Sequence, residues 1–224
     1  GGSTPGQMLA LLASATLPWA RVHWYLGDER CYPAGHAERN DVMLMRQLWS
    51  RIDAPIENRH PIAAELGPEP AAAQYTDELG EAGPLDIVVL GMGEDGHTAS
   101  LFPGNAAIED RRAAVPVFDA PKPPPERVSL SLSRLTRSHH VMLLVTGAAK
   151  ADAVARTIRD TRSRLREEQI ALNAEVGHDK LVRVHPFPGD DKSNLVRRAL
   201  GFVGFSALAG LGGLRVGGWF RRAD

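Results

Sequence analysis

A chain of 224 residues, 43% hydrophobic and 24% charged, suits one large packed domain or two small ones and excludes a low-hydrophobicity disordered chain. Its formal net charge of -1 supplies no general attraction to nucleic acid. The single cysteine, Cys31, excludes an intrachain disulfide and a multi-cysteine zinc site, and a reducing, cytoplasmic compartment is expected. Charge is unevenly spread: residues 1–158 hold 14 Lys/Arg against 19 Asp/Glu, net -5, whereas residues 159–224 hold 12 against 8, net +4. Two segments of different character are therefore expected. No signal-peptide pattern is read at the start of the chain.

The chain opens Gly1-Gly2-Ser3-Thr4-Pro5, and the spacing of Met8, Leu9, Leu11 and Leu12 predicts a helix over residues 6–15. Thr4 is placed to cap it, with Pro5 in the first turn. A small-residue loop at a helix N-terminus favours phosphate through free N–H groups and the helix dipole. A plain N-cap is the simpler reading of that loop alone. Residues 19–26 alternate and are rich in Val, Trp and Tyr, which predicts a strand. It ends in Gly27-Asp28-Glu29-Arg30, read either as a site at a strand's carboxyl end or as a solvated turn. Cys31 reads as a small, at least partly buried residue.

His36-Ala37-Glu38 has the His-x-Glu of zinc deaminases but lacks their Pro-Cys-x-x-Cys partner, so that reading is rejected. Asn40 is placed to cap a helix running to about Trp49, with Val42, Met45, Leu48 and Trp49 on its core face. His60, before Pro61, reads as a loop residue. Residues 68–80 predict an alanine-rich helix ended by glycine.

Residues 85–90, Leu-Asp-Ile-Val-Val-Leu, predict a buried strand. Directly after it comes Gly91-Met92-Gly93-Glu94-Asp95-Gly96-His97-Thr98-Ala99-Ser100-Leu101-Phe102-Pro103-Gly104. The carboxyl end of a strand is where open α/β sheets bind ligands. Glycines at 91, 93 and 96 permit positive φ and close approach of the backbone. Asp95 and His97 are thereby presented together. A satisfied histidine in a glycine-rich turn is the competing reading. A short helical turn is expected near Thr98, stopped by Pro103-Gly104.

Residues 114–118 predict a strand, and Pro121 to Pro125 a stiff connection. Residues 127–132 alternate Val128, Leu130 and Leu132 with Ser129 and Ser131, the pattern of a half-buried strand. His139-His140 sits at the start of a strand over 141–145, where adjacent side chains point to opposite faces, which argues against joint metal binding. Thr146-Gly147 turns into a helix beginning near Ala148, and Lys150 in its first turn is either an anion contact or a solvated lysine. Strands thus alternate with helices through residue 158, the pattern of an α/β domain.

The run from Gly91 to Gly104, with Gly1-Gly2-Ser3-Thr4-Pro5, Trp24-Tyr25-Leu26-Gly27-Asp28-Glu29-Arg30 and Arg127-Val128-Ser129-Leu130, resembles the 6-phosphogluconolactonases of the glucosamine-6-phosphate isomerase/deaminase-like superfamily. The resemblance covers about residues 1–158. It implies a Rossmann-like α/β fold, a mainly parallel sheet with helices on both faces. It implies hydrolysis of 6-phospho-D-glucono-1,5-lactone to 6-phospho-D-gluconate in the oxidative pentose phosphate pathway. The partner is then a small phosphorylated sugar lactone, with no metal and no organic cofactor. Gly1, Gly2, Ser3 and Thr4 match the family's sugar-phosphate loop, and Lys150 its phosphate-contacting lysine. Arg30 matches a site arginine for phosphate or lactone oxygen and Asp28 a polar partner in the same loop; Arg127 is placed to support the site.

The chemistry agrees with these residues. An ester carbonyl needs a water activated by a base, and histidine titrates near neutrality. His97 is the expected base, Asp95 its orienting partner, and N–H groups of the 93–98 turn the expected oxyanion donors. No Gly-x-Ser-x-Gly elbow supports a covalent serine route. A glucosamine-6-phosphate deaminase-like isomerase and an inactive sugar-phosphate-binding fragment are the alternatives. The Glu-Asp-Gly-His-Thr-Ala-Ser-Leu-Phe-Pro wording and Asp28-Glu29-Arg30 favour the lactonase.

Two departures accompany the resemblance. Family members carry a strand–helix–strand region before Gly-Gly-Ser-Thr-Pro, so a fragment lacking its first strands is expected. After about Ile158 the family pattern is lost, and residues 159–224 are expected to form a divergent basic tail, helical and then glycine-rich. His178 and His185 lie there without ligand spacing. Its apolar run over 199–214 is short of the roughly 20 residues a bilayer span needs, so no membrane span is expected. A buried helix hairpin, an interfacial anchor and a fused or disordered tail are the readings, the last favoured because the break coincides with the charge reversal.

Overall fold

The computed structural model describes residues 2–159. Gly1 and the expected basic tail over 160–224 lie outside the described residues. Helix α1 (Ser3–Leu12) buries Leu9 and Leu12. Its N-cap is Gly2 at φ 106, and Thr4 lies inside the first turn rather than capping it. The helix starts where glycine lets the backbone enter a positive-φ conformation.

The strand expected over 19–26 is confined to β1 (Trp24–Tyr25), because residues after Pro18 form a 3-10 turn at Trp19–Arg21. Asp28, Glu29 and Arg30 are not a loop: they form β2 (Asp28–Arg30). Strand alternation then sends Glu29 into the core, 0% exposed, and turns Asp28 and Arg30 to the other face. Helix α2 (Asn40–Leu44) widens into π-helical Met45–Trp49. The wider turn changes the phase of the stripe, so Leu48 and Trp49 are buried and Met45 is exposed.

Strand β3 (Arg59–His60) precedes α3 (Pro68–Glu81), which buries Ala71, Ala72, Tyr75 and Leu79 along one stripe. The Tyr75 hydroxyl accepts from Leu26 N–H at 2.8 Å and donates to Leu26 O at 3.1 Å, tying α3 to the end of β1. Strands β4 (Ile87–Leu90), β5 (Ala114–Val117) and β6 (Arg127–Leu130) follow, then α4 (Leu132–Thr136) and β7 (His140–Leu143). Residues 151–159 are helical.

The α/β class holds. Strands β1 and β3 pair in parallel, as do β4 and β7, while β2, β6 and β5 form an antiparallel sheet. The antiparallel β5–β6 pairing follows from chain length: residues 118–126 are too few for a parallel crossover, which takes about a dozen or more residues. Helix α3 lies on β5 and β6. Strand β6, expected to be half-buried, is therefore buried along its whole length. Its polar positions are satisfied internally: Ser129 Oγ accepts from Ser100 N–H at 3.2 Å and donates to Leu130 O at 3.0 Å. Ser131 caps α4 by accepting from Arg134 N–H at 3.1 Å. The core between the layers includes Leu48, Ile62, Tyr75, Leu79, Phe102, Val115, Val117, Val128 and Leu130. Burying each such side chain stabilises the fold by about 1.5–3 kcal/mol before entropy is charged against it.

Candidate active site at the carboxyl ends of β4 and β7

Strands β4 and β7 run in parallel from Ile87↔His140 to Leu90↔Leu143, and Leu144 N–H donates to Leu90 O at 2.7 Å. Their carboxyl ends therefore lie side by side, and two loops leave together, one over 91–97 and one over 144–150. The start of α1 joins them, with the Thr4 and Thr146 hydroxyls 2.7 Å apart. Lys150 Nζ lies 3.5 Å from Glu94 Oε1, and Arg156 donates through Nη2 to Glu94 O at 3.1 Å. Thr4, Lys150 and the Asp95–His97 turn are thus brought to one sheet end.

The turn is built around its histidine. Gly93 N–H donates to His97 O at 2.8 Å and Gly96 N–H to Gly93 O at 3.1 Å, with Gly96 at φ 92. Thr98 Oγ1 donates to Gly91 O at 3.0 Å, closing the loop on the end of β4. His97 Nδ1 meets Asp95 Oδ1 at 2.5 Å, and His97 N–H donates to the same oxygen at 3.3 Å. That contact requires the proton on Nδ1, which leaves Nε2 as the basic nitrogen. Gly93 allows the arrangement, since a Cβ there would overlap both the His97 imidazole and the Asp95 carboxylate. Partial burial of Asp95 opposes its ionisation, but hydrogen bonds from His97 outweigh it and hold the carboxyl below its ordinary value.

The helical turn expected near Thr98 does not form. Leu101 N–H donates to Thr98 O at 2.9 Å across a tight turn, with Ala99 at φ 49. Three N–H donors of the 93–98 turn, those of Gly93, Gly96 and His97, are engaged within it, which narrows the set left for an oxyanion.

Asp28 and Arg30 lie on β2, in the antiparallel sheet, and only Asp28 contacts the histidine loop. Asp28 Oδ2 accepts from Ser100 Oγ at 2.7 Å, and its Oδ1 accepts from Asn40 Nδ2 at 3.3 Å. It therefore anchors the far end of the histidine loop. Arg30 donates through Nη1 to Glu38 O, and its buried Nε has no protein partner. It makes no bond to His97 or Lys150. Arg127, buried, donates to the carbonyls of Lys122, Pro123 and Pro124 and lies over the Phe102 ring, 5.3 Å from its centroid. Burial lowers its basicity, with the Asp28 charge acting against that and the Arg30 charge adding to it. The buried Phe102 ring also packs 4.4 Å from the His97 ring, so it contacts both Arg127 and the histidine.

Sequence reasoning missed several of these residues. Ser100 and Phe102 lay inside the motif but carried no signal of their partners. Thr146, Glu94 and Arg156 show their roles only through contacts across the chain. Glu29 read as one of three charged loop residues, yet it accepts N–H bonds from Arg30 at 2.8 Å, Asn40 at 2.8 Å and Asp41 at 2.9 Å. A strand period of two over Asp28, Glu29 and Arg30 was the signal that would have separated it from its neighbours.

Among the described residues no group of three or more His, Cys, Asp and Glu side chains is placed to hold a metal ion. Nor is any helix among them long and apolar enough to cross a membrane.

Residues 1–175 match the family described as glucosamine-6-phosphate isomerases/6-phosphogluconolactonase. A 6-phosphogluconolactonase of Mycobacterium tuberculosis is 41% identical over 172 residues, 70% of either chain. One of Rattus norvegicus is 37% identical over 177 residues, 74% of this chain and 69% of its own. The crystal structure of a 6-phosphogluconolactonase from Thermotoga maritima is similar with a TM-score of 0.68 and 31% identity, covering 71% of this chain and 73% of that one. A monomeric glucosamine-6-phosphate deaminase, 19% identical with a TM-score of 0.61 over 71% of this chain and 73% of its own, shares the fold.

Proposed function

The chain belongs to the family of glucosamine-6-phosphate isomerases and 6-phosphogluconolactonases, and on that premise we propose that it hydrolyses 6-phospho-D-glucono-1,5-lactone to 6-phospho-D-gluconate. The observation that carries this reading is the His97–Asp95 pair at the carboxyl end of β4, Nδ1 to Oδ1 at 2.5 Å. His97 Nε2 takes a proton from water as the water oxygen attacks the lactone carbonyl carbon. Asp95, ionised, faces the imidazolium that forms. The tetrahedral intermediate then collapses, the acyl–oxygen bond to the ring oxygen breaks, and that oxygen takes the proton back from His97. The new carboxylic acid ionises in solution.

In this reading Gly1, Gly2, Ser3 and Thr4 bind the sugar phosphate, Lys150 contributes a cation to it, and Arg30 serves phosphate or lactone oxygen. Support for this comes from Thr4 and Lys150 standing at the same sheet end as His97. Asp28 acts as a positioning residue through Ser100. The pentose phosphate pathway is the setting that the relatives' activity implies, and the single Cys31 accords with the cytoplasm. Burial pushes its thiol up to about 11, as suits an inert rather than a reactive cysteine.

The test is His97→Ala, assayed for lactone opening with spontaneous hydrolysis subtracted. Turnover should fall by about 10²–10⁴-fold, the contribution of a positioned base. Binding of 6-phosphogluconate should persist. Full activity in the purified variant sinks the base assignment.

A further inference from the structure

The cation assigned to the substrate phosphate already has an anionic partner. Lys150 Nζ sits 3.5 Å from Glu94 Oε1, with the lysine 26% and the glutamate 65% exposed. Glu94 immediately precedes Asp95, but nothing in the hydrolysis uses its carboxylate. We propose that Glu94 is a built-in competitor for the phosphate subsite, a carboxylate that holds Lys150 in the free chain and is displaced by the substrate's phosphate. The proposal rests on the reading of Lys150 as a phosphate contact.

Three features make the exchange physically reasonable. A phosphate monoester carries close to two negative charges near neutral pH and a carboxylate one, so the phosphate is the stronger partner for one ammonium at the same site. The Glu94 side chain is mostly in solvent, so the displaced carboxylate regains hydration without leaving a buried charge. The backbone need not move. Arg156 holds Glu94 O at 3.1 Å, and the Gly93 and Gly96 bonds keep the turn closed while the side chain alone changes rotamer. The His97–Asp95 pair therefore stays assembled during the exchange.

Such a competitor favours phosphorylated over unphosphorylated sugars, because a neutral sugar has no charge with which to replace Glu94 at Lys150. That is specificity by an opposing interaction rather than by an added contact.

Calorimetric titration with 6-phosphogluconate, of the wild-type chain, Glu94→Gln, Lys150→Gln and the double variant, tests this. An exposed ion pair contributes about 0.2–1 kcal/mol, so Glu94→Gln should bind up to roughly five-fold more tightly. The gain should vanish in the Lys150→Gln background, since the competition acts through that lysine. Unchanged or weaker binding in Glu94→Gln overturns the proposal. So does a gain of the same size without Lys150, which would be general charge repulsion. A wild-type chain that binds no 6-phosphogluconate refutes the functional reading itself, and the competitor with it.

Discussion

A methyl group at Gly93 would stand where the His97 imidazole and the Asp95 carboxylate meet. Neither can withdraw without breaking the 2.5 Å contact that sets the histidine's tautomer. Gly93→Ala is therefore expected to lower kcat/KM for lactone opening by more than about tenfold, since misplacing a reacting group by an ångström has larger effects than that. Circular dichroism should show the fold intact, because the overlap is with side chains of the turn and not with the core. The partner carboxylate adds a pH statement. The value of Asp95 is lowered on folding, so its contribution to stability is present above the ordinary value of 3.8 and is lost as pH falls below that through the folded value. Asp95 is thus ionised throughout the neutral range. The members of the pair were legible in the sequence because the candidate catalytic turn is contiguous. Phe102 against His97 was not, since a ring contact depends on how the turn folds back.

At the scale of elements, α2 is capped from another strand. None of its first-turn N–H groups donates to the N-cap side chain, and Glu29 on β2 accepts from Asn40 and Asp41 instead. Burial pushes the Glu29 carboxyl up to about 7, with the three N–H donors pulling the other way. A raised value means that the folded chain retains a proton the unfolded chain has released. The associated stability is whole below about 4.5 and is lost as pH rises through about 7. Urea unfolding of the wild type from pH 5 to 8 should show this loss, at most about 3 kcal/mol from the linkage relation. Glu29→Gln should be flatter in that window and less stable below it by about 1–3 kcal/mol, because an amide offers one acceptor oxygen to three converging donors. A variant with the wild-type slope would show that Glu29 does not titrate there. Helices α1 and α3 were readable because each repeats an apolar stripe locally, and β4 and β5 because each is a short apolar run. The strand character of residues 28–30 was not, since three charged residues satisfy no hydrophobic pattern and are held by pairing with β6.

At the scale of the whole molecule, the residues proposed to hold the ligand belong to parts that no single sheet contains. Thr4 belongs to α1, His97 follows β4, Lys150 follows β7, and Arg30 belongs to the antiparallel sheet. A sugar phosphate spanning them should act as a clamp. At a concentration about 100 times its Kd, 6-phosphogluconate is expected to stabilise the fold by about 2.7 kcal/mol and raise Tm by several degrees. Absence of any shift in a thermal melt would argue against a ligand shared by these elements. By itself the sequence determined the α/β alternation, the helix stripes and the identity of the histidine turn, because those depend on neighbours within a few residues. Only the tertiary structure decided that Asp28 anchors Ser100 across 72 positions, that Thr4 meets Thr146 across 142, and that Glu94 holds Lys150. Such pairs follow from strand order and layer packing, and no local pattern in a chain specifies which distant residue will stand opposite.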